Sequence, residues 1–294
     1  MRRRKTPGDV VLVVEGARDR KCVLRLTEDR AMVIPAFGKA NLLFAFDNLE
    51  QEFRRTVLFL VDCDNKLDRR YKGHRDLVIT ENRDIEADLV LTLKGLAGFA
   101  AEFLDLERRQ DCDRAVEAIL PAACGLSARL NSVLEGARQQ GARSRIEGRD
   151  RVNRRIRLLD IPDQHELIGL YGRGSIGAFV DRLAAKLSWS GDERSAITES
   201  VRQMTEKPCR RHGRKSCDPC WHRSFCNGHD LVDAVAIVCA ASYSLHVGDE
   251  VVERAVRMGY DLSGIEDWPV IERIRNWEVG TGVTILRGRP VATP

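Results

Sequence analysis

Four carboxylates, Glu15, Asp62, Asp64 and Glu86, stand where a sheet-based enzyme would use them. Asp62 and Asp64 follow the apolar run Val57–Val61 at once, with only Cys63 between them. That run is too short for a buried helix and rich in β-branched and aromatic residues, so it predicts a central strand covered on both faces. Glu15 ends a similar run, VVLVV at 10–14. Open α/β sheets bind ligands in crevices at the carboxyl ends of their strands. Carboxylates gathered there suit a hard divalent cation, Mg²⁺ or Mn²⁺, which takes oxygen ligands. Such an ion can neutralise charge on a transferring phosphate and activate a water, the chemistry of phosphodiester cleavage. Glu15 would then coordinate directly or act as general base. The competing reading of the D-x-D pair is local: Asp62 caps the strand and Asp64 makes a turn with Asn65.

The elements that must position these acids read as an alternation. Strands are expected at 10–14, 31–35, 57–61 and 77–79, with helical spacing over 18–28, over 39–53 and from about Glu86 through Leu104. Leu42, Leu43, Phe46, Leu49 and Phe53 recur at threes and fours in the second of these helices. The order predicts a mostly parallel four-stranded sheet with helices on its faces, an α/β fold. If the strands at 10–14 and 57–61 are neighbours, Glu15 and the D-x-D pair share one sheet edge. Glu86 falls near the start of the helix after the fourth strand, and Asp84 and Asp88 compete for its place.

Basic residues near the acids are candidates for substrate contact. Lys66 and Arg69 lie just beyond the D-x-D pair, and Arg83 precedes Glu86. Cations beside a scissile phosphate add electrostatic stabilisation and affinity without reading sequence. Lys39 is read as opening its helix on the solvent face. Tyr71 could be a nucleophile or a surface residue. Further arginine-rich stretches occur at 2–5, 143–157 and 210–215.

From about Asp111 the pattern becomes mainly helical, which divides the chain into a core at 1–110 and a second lobe at 111–294. Helices are expected over 113–140 (with interruptions near Pro121 and Gly125), 174–187, 193–205 and 250–258. Another very apolar helix should follow Asp230 as its N-cap. Residues 152–161 alternate loosely, as a strand would, and the end, WEVGTGVTILRGRP, reads as late strand or coil. Within this lobe the segment 208–229 concentrates Cys209, Cys217, Cys220 and Cys226 with His212, His222 and His229. The Cys217-Asp-Pro-Cys220 spacing lets two sulfurs face one tetrahedral ion, and Cys209 and Cys226 complete a four-thiolate set for structural Zn²⁺. His212 or His222 could replace one thiolate. An iron–sulfur cluster and unligated thiols are the other readings.

Composition bounds what remains. The 294 residues are 43% hydrophobic and 31% charged, which fits a globular protein of one large or two modest domains. The net charge of +4 does not by itself argue for nucleic acid. No apolar run is long enough to span a bilayer, and the basic start lacks the features of a signal peptide, so the expectation is a cytoplasmic protein with no membrane partner. No G-x-x-x-x-G-K-[ST] loop is present, so any ATP dependence must come from a partner.

VEGARDR at 14–20 resembles the first motif of the toprim domain, and FLVDCDN at 59–65 resembles its second. TENRDIEADLV at 80–90 is similar to the acidic motif of a toprim-like branch related to the OLD-type nucleases, and FCNGHDLVDAV at 225–235 is more loosely similar to a later segment of that branch. The resemblance implies a toprim-like catalytic core in which Glu15 matches the conserved glutamate, Asp62 and Asp64 the D-x-D pair, and Glu86 a further metal-side carboxylate. It also implies a Mg²⁺-dependent nuclease of prokaryotic antiphage defence, acting on DNA or RNA and controlled by a partner ATPase. No tyrosine has the setting of a topoisomerase nucleophile, and primase elements are not found. The alternative function is a catalytically inactive toprim-like module, stabilised by zinc, that binds nucleic acid or protein. Homodimerisation through an exposed apolar face is a further partner expectation.

Overall fold

The four apolar runs form the four expected strands: β1 (Val10–Val14), β2 (Ala31–Pro35), β3 (Val57–Val61) and β4 (Leu77–Ile79). In this computed structural model the described residues are 10–63, 67–91, 93–140, 158–160, 166–167, 176–205, 225–259 and 268–288. All strand pairs are parallel, in the order β2-β1-β3-β4. Every residue of β3 is buried, as a central strand between two helical layers requires. The register pairs Val14 with Leu60, so Glu15 stands level with Val61 and one step before Asp62.

Helices α1 (Ala17–Val23), α2 (Lys39–Asp47), α3 (Ile85–Leu91) and α4 (Leu93–Phe103) connect and follow the strands. The helix expected over 39–53 stops at Asp47, and Gln51–Arg55 form a 3-10 turn instead. Phe44 O keeps its helical donor, Asn48 N, and also accepts from Asn48 Nδ2 (2.8 Å), while Phe46 O accepts from Leu49 N (3.4 Å) and Arg54 Nη2 (3.1 Å). Leu42 and Phe46 reach the core as the spacing predicts, whereas Phe44 and Phe53 are exposed. Phe46 packs edge-on against Phe59 and Tyr71 at 5.4 and 6.0 Å between ring centroids.

The chain divides into two compact units: Met1–Gly95 with Arg257–Pro294, and Leu96–Val256. The second unit is mainly helical. Its longest element, α5 (Arg109–Gln139), runs unbroken through Pro121, where an interruption is expected. Pro121 and Glu117 are both exposed, so the Glu117 carbonyl that loses its helical donor can turn to solvent. Helices α6 (Ile176–Leu187), α7 (Gly191–Thr205), α8 (Gly228–Tyr243) and α9 (Asp249–Met258) follow. The α8 helix packs along α5 and buries Leu231, Val235 and Ile237. Its N-cap is Asn227, not the expected Asp230. Asp230 lies inside the first turn, buried, and its Oδ2 accepts from Asn131 Nδ2 of α5 at 2.9 Å. Leu158–Asp160 form a 3-10 turn rather than the end of a strand, and the rest of 152–161 lies outside the described residues.

The first unit is completed by the chain's return, which a division at residue 110 does not include. Trp277–Thr281 belong to α10 (Pro269–Thr281), not to a strand or coil, and Ile271, Ile274 and Trp277 are its buried stripe. Gly282, at φ 72°, ends the helix, and Leu286 then bridges antiparallel to Thr27. Glu278 organises that turn by accepting from the Ile285 and Leu286 backbone N–H groups, both at 2.6 Å. Among the described residues no helix is long and apolar enough to cross a membrane.

Candidate metal centre

Glu15 and Asp62 meet at the carboxyl edge of the sheet, as adjacency of β1 and β3 demands. Glu15 Oε1 accepts from the Asp62 backbone N–H at 2.8 Å. Asp62 Oδ1 is buried with no hydrogen-bond partner among the described residues. Burial, then the negative charges of Asp84, Glu15, Asp19 and Glu86, push the Asp62 carboxyl up to about 10. Without a cation the group is therefore protonated at neutral pH. Besides Glu15 and Glu86, the charges that bear on Asp62 thus include those of Asp84 and Asp19. Asp64 and Lys66 lie outside the described residues. Among the described residues no group of three or more His, Cys, Asp or Glu is arranged to hold a metal ion.

The three acids around α3 separate by role. Asp88 accepts from Glu81 N (3.1 Å), Asn82 N and Nδ2 (both 2.7 Å) and Trp268 Nε1 (2.9 Å). That makes it a structural tie between the β4–α3 loop and the returning chain. Asp84 Oδ1 accepts from Ala87 N at 2.7 Å, capping the start of α3. Glu86 is buried in the first turn of α3 and acts on Asp62 through its charge.

Asp19 and Lys39 carry roles the sequence reading did not assign. Asp19 Oδ2 accepts from Gly16 N at 2.7 Å, which fixes the turn after Glu15, and burial raises its own pKa. A G-x-x-D spacing after a strand is the local sign of that turn. Lys39 does not sit on the solvent face of α2. Its Nζ donates to Asp62 O at 2.5 Å and lies 3.9 Å from Glu15 Oε1. The β2–α2 turn delivers it there: Phe37 is left-handed at φ 59°, and Gly38 follows at φ 128°, a conformation closed to residues with a Cβ. Gly38 N then donates to Glu15 O at 2.9 Å.

Thr80 anchors the other side of the D-x-D loop. Its Oγ1 accepts from Cys63 N and donates to Asn82 O, both at 2.8 Å. Of the expected substrate contacts, Arg69 is exposed in a 3-10 turn beyond the loop and Arg83 is half-buried before α3. Tyr71 is neither surface residue nor available nucleophile: it is buried in the core beside the sheet, and its hydroxyl donates to Asp47 at 2.8 Å.

Of the expected zinc ligands, Cys226 is described. It is buried in the second unit with its thiol 3.5 Å from Cys124 O. Cys209, Cys217, Cys220, His212 and His222 lie outside the described residues, as do the arginine-rich stretches at 2–5, 143–157 and 210–215. The chain matches no protein-family model and no curated protein.

Proposed function

We propose that the first unit is a divalent-metal-dependent nuclease, hydrolysing phosphodiester bonds of DNA or RNA at the carboxyl edge of its sheet. The observation that carries this reading is Asp62: a buried carboxyl with an unpartnered oxygen, its backbone bonded to Glu15 and its carboxyl under the charge of Asp84, Asp19 and Glu86. Like charges acting on a buried carboxyl disfavour its ionised form unless a cation offsets them. The donor chemistry, all oxygen, fits Mg²⁺ or Mn²⁺. Asp62, Glu15, Glu86 and Asp64 would hold the ion, and once bound it would supply charge neutralisation of the phosphate and activation of water. Glu15, bonded to the Asp62 backbone and faced by Lys39, is placed to orient or deprotonate that water. Arg69, Arg83 and Lys66 would meet the nucleic-acid backbone. The parallel order with acids after β1 and β3 is compatible with a toprim-like assignment, which also brings the expectations of antiphage defence and a partner ATPase. A Zn²⁺ held by Cys209, Cys217, Cys220 and Cys226 would fold the segment 208–229.

The test is cleavage of labelled single- and double-stranded DNA and RNA with Mg²⁺ or Mn²⁺, by the chain alone and with a candidate ATPase. Metal-dependent cleavage abolished by both Glu15→Gln and Asp62→Asn is the expected outcome, and activity unchanged in those variants refutes it. One observation favours the non-catalytic alternative: the Lys39 ammonium already stands at the cluster and can offset its charge without a metal. Calorimetry with Mn²⁺ separates the readings, because a binding module of that kind takes up no Mn²⁺ at these acids.

A further inference from the structure

The opposite end of the sheet carries a second feature of the first unit. Next to the amino ends of β3 and β4 lies a cavity of about 600 Å³, whose walls include Arg54, Arg55, Arg75, Asp76, Trp277 and Thr281. The volume is that of a small-molecule site. The five residues of β3 separate it from Asp62, roughly 16 Å at the usual rise per residue. It therefore does not belong to the acidic site.

Donors outnumber acceptors in this cavity. Arg54 and Asp76 offset each other through a 2.5 Å ion pair, and Arg54 is also held over the Phe46 ring. Arg55 and Arg75 have no partner among the described residues, and the remaining acid on the wall is the exposed Glu52. Trp277 is 1% exposed, and its Nε1–H has no acceptor among the described residues. A buried N–H without an acceptor is costly and uncommon.

Arg55 and Arg75 are both exposed wall residues, so their guanidinium groups can be reached by an anion from solvent.

We propose that this cavity binds the terminal phosphate of a small organic phosphomonoester, at a site distinct from the acidic cluster. Guanidinium forks match phosphate oxygens bidentately. A terminal phosphate offers three such oxygens and close to two negative charges, more than a backbone diester offers to Arg55 and Arg75. The cavity is larger than phosphate alone needs, so it holds the attached group as well.

Calorimetry on the full chain in EDTA, which keeps metal from the acidic site, tests this with four probes: inorganic phosphate, AMP, adenosine and a 5′-hydroxyl oligothymidylate. AMP binds, phosphate binds more weakly, and adenosine does not bind. Arg55→Ala and Arg75→Ala each weaken AMP at least about five-fold, and Arg75→Lys falls between wild type and Arg75→Ala because it keeps charge but loses the fork. Absence of AMP and phosphate binding up to about 10 mM overturns the proposal, as does AMP binding unchanged in both arginine variants. Arginine-dependent binding of the oligothymidylate without AMP binding also overturns it, and assigns the cavity to a nucleic-acid backbone.

Discussion

Replacing Asp88 separates a structural carboxylate from Glu86, the proposed metal-side carboxylate only two residues away. The Asp88 side chain is 1% exposed and accepts four hydrogen bonds. In Asp88→Ala the Trp268 Nε1–H, which is buried, and the Asn82 backbone N–H lose their acceptor. Each unpaired donor costs about 1–3 kcal/mol, so the loss is about 4 kcal/mol, reduced somewhat because a buried carboxylate no longer has to be desolvated. Burial raises the pKa of Asp88 despite these bonds, which is the sign of that opposing cost. Asp88→Asn keeps one acceptor oxygen and turns an N–H₂ toward a remaining donor, for a loss of about 2 kcal/mol. Urea unfolding gives the energies, and the Trp268 indole N–H resonance reports whether its bond survives. Mn²⁺ affinity should change less than about three-fold in Asp88→Asn. Glu86→Gln should do the reverse, leaving the indole resonance in place and lowering Mn²⁺ affinity about ten-fold or more. Loss of Mn²⁺ binding in Asp88→Asn at undiminished stability would refute this division of roles.

Asp62 makes a prediction about pH. Its folded pKa, about 10, lies above the ordinary 3.8, so between those values the folded state holds one proton more than the unfolded state. Stability of the metal-free protein should therefore fall as pH rises, by about 1.4 kcal/mol per unit from this group, and Asp62→Asn should flatten that slope between about pH 5 and 8 in EDTA. Equal slopes in both proteins would count against it. Mn²⁺ uptake by wild type near neutral pH should release a proton, measurable as a buffer-dependent heat that is absent in Asp62→Asn. Pro121→Ala restores a helical N–H in the middle of α5 and should raise stability by about 1–3 kcal/mol, read by urea unfolding. Elemental analysis should find one zinc per chain, lost in Cys217→Ser and Cys220→Ser; zinc retained in both would end the four-thiolate reading.

The sheet was legible because its strands are short, apolar and β-branched, and nothing in their surroundings competes with that pattern. Glu15 and Asp62 could be placed together for the same reason: parallel adjacency brings the ends of neighbouring strands to one edge. Lys39 was not legible, since its target is a carbonyl 23 residues away and its path depends on the positive φ of Phe37 and Gly38. Nor could sequence rank Asp84, Glu86 and Asp88, three acids within five residues whose difference is made by Trp268, far along the chain. The helix over 39–53 was overextended because Leu49 and Phe53 keep the helical spacing past Asn48, where the backbone leaves the helical region (φ −102°, ψ 7°) and Leu49 N turns to Phe46 O in a tighter closure. Pro121 misled in the other direction: an exposed proline costs a helix one bond, and the buried face of α5 outweighs it.

The return of the chain to its first unit has a consequence for timing during synthesis. The strands and acids emerge from the ribosome first, but Trp268, the α10 helix and the Leu286 bridge arrive only after residues 96–256 have been made. At the usual pace of translation that interval is roughly 8–32 s. Throughout it the bond from Trp268 to Asp88 is missing and the α10 wall of the arginine cavity does not exist. A nascent chain thus carries its acids before it carries the tie that braces the loop beside them.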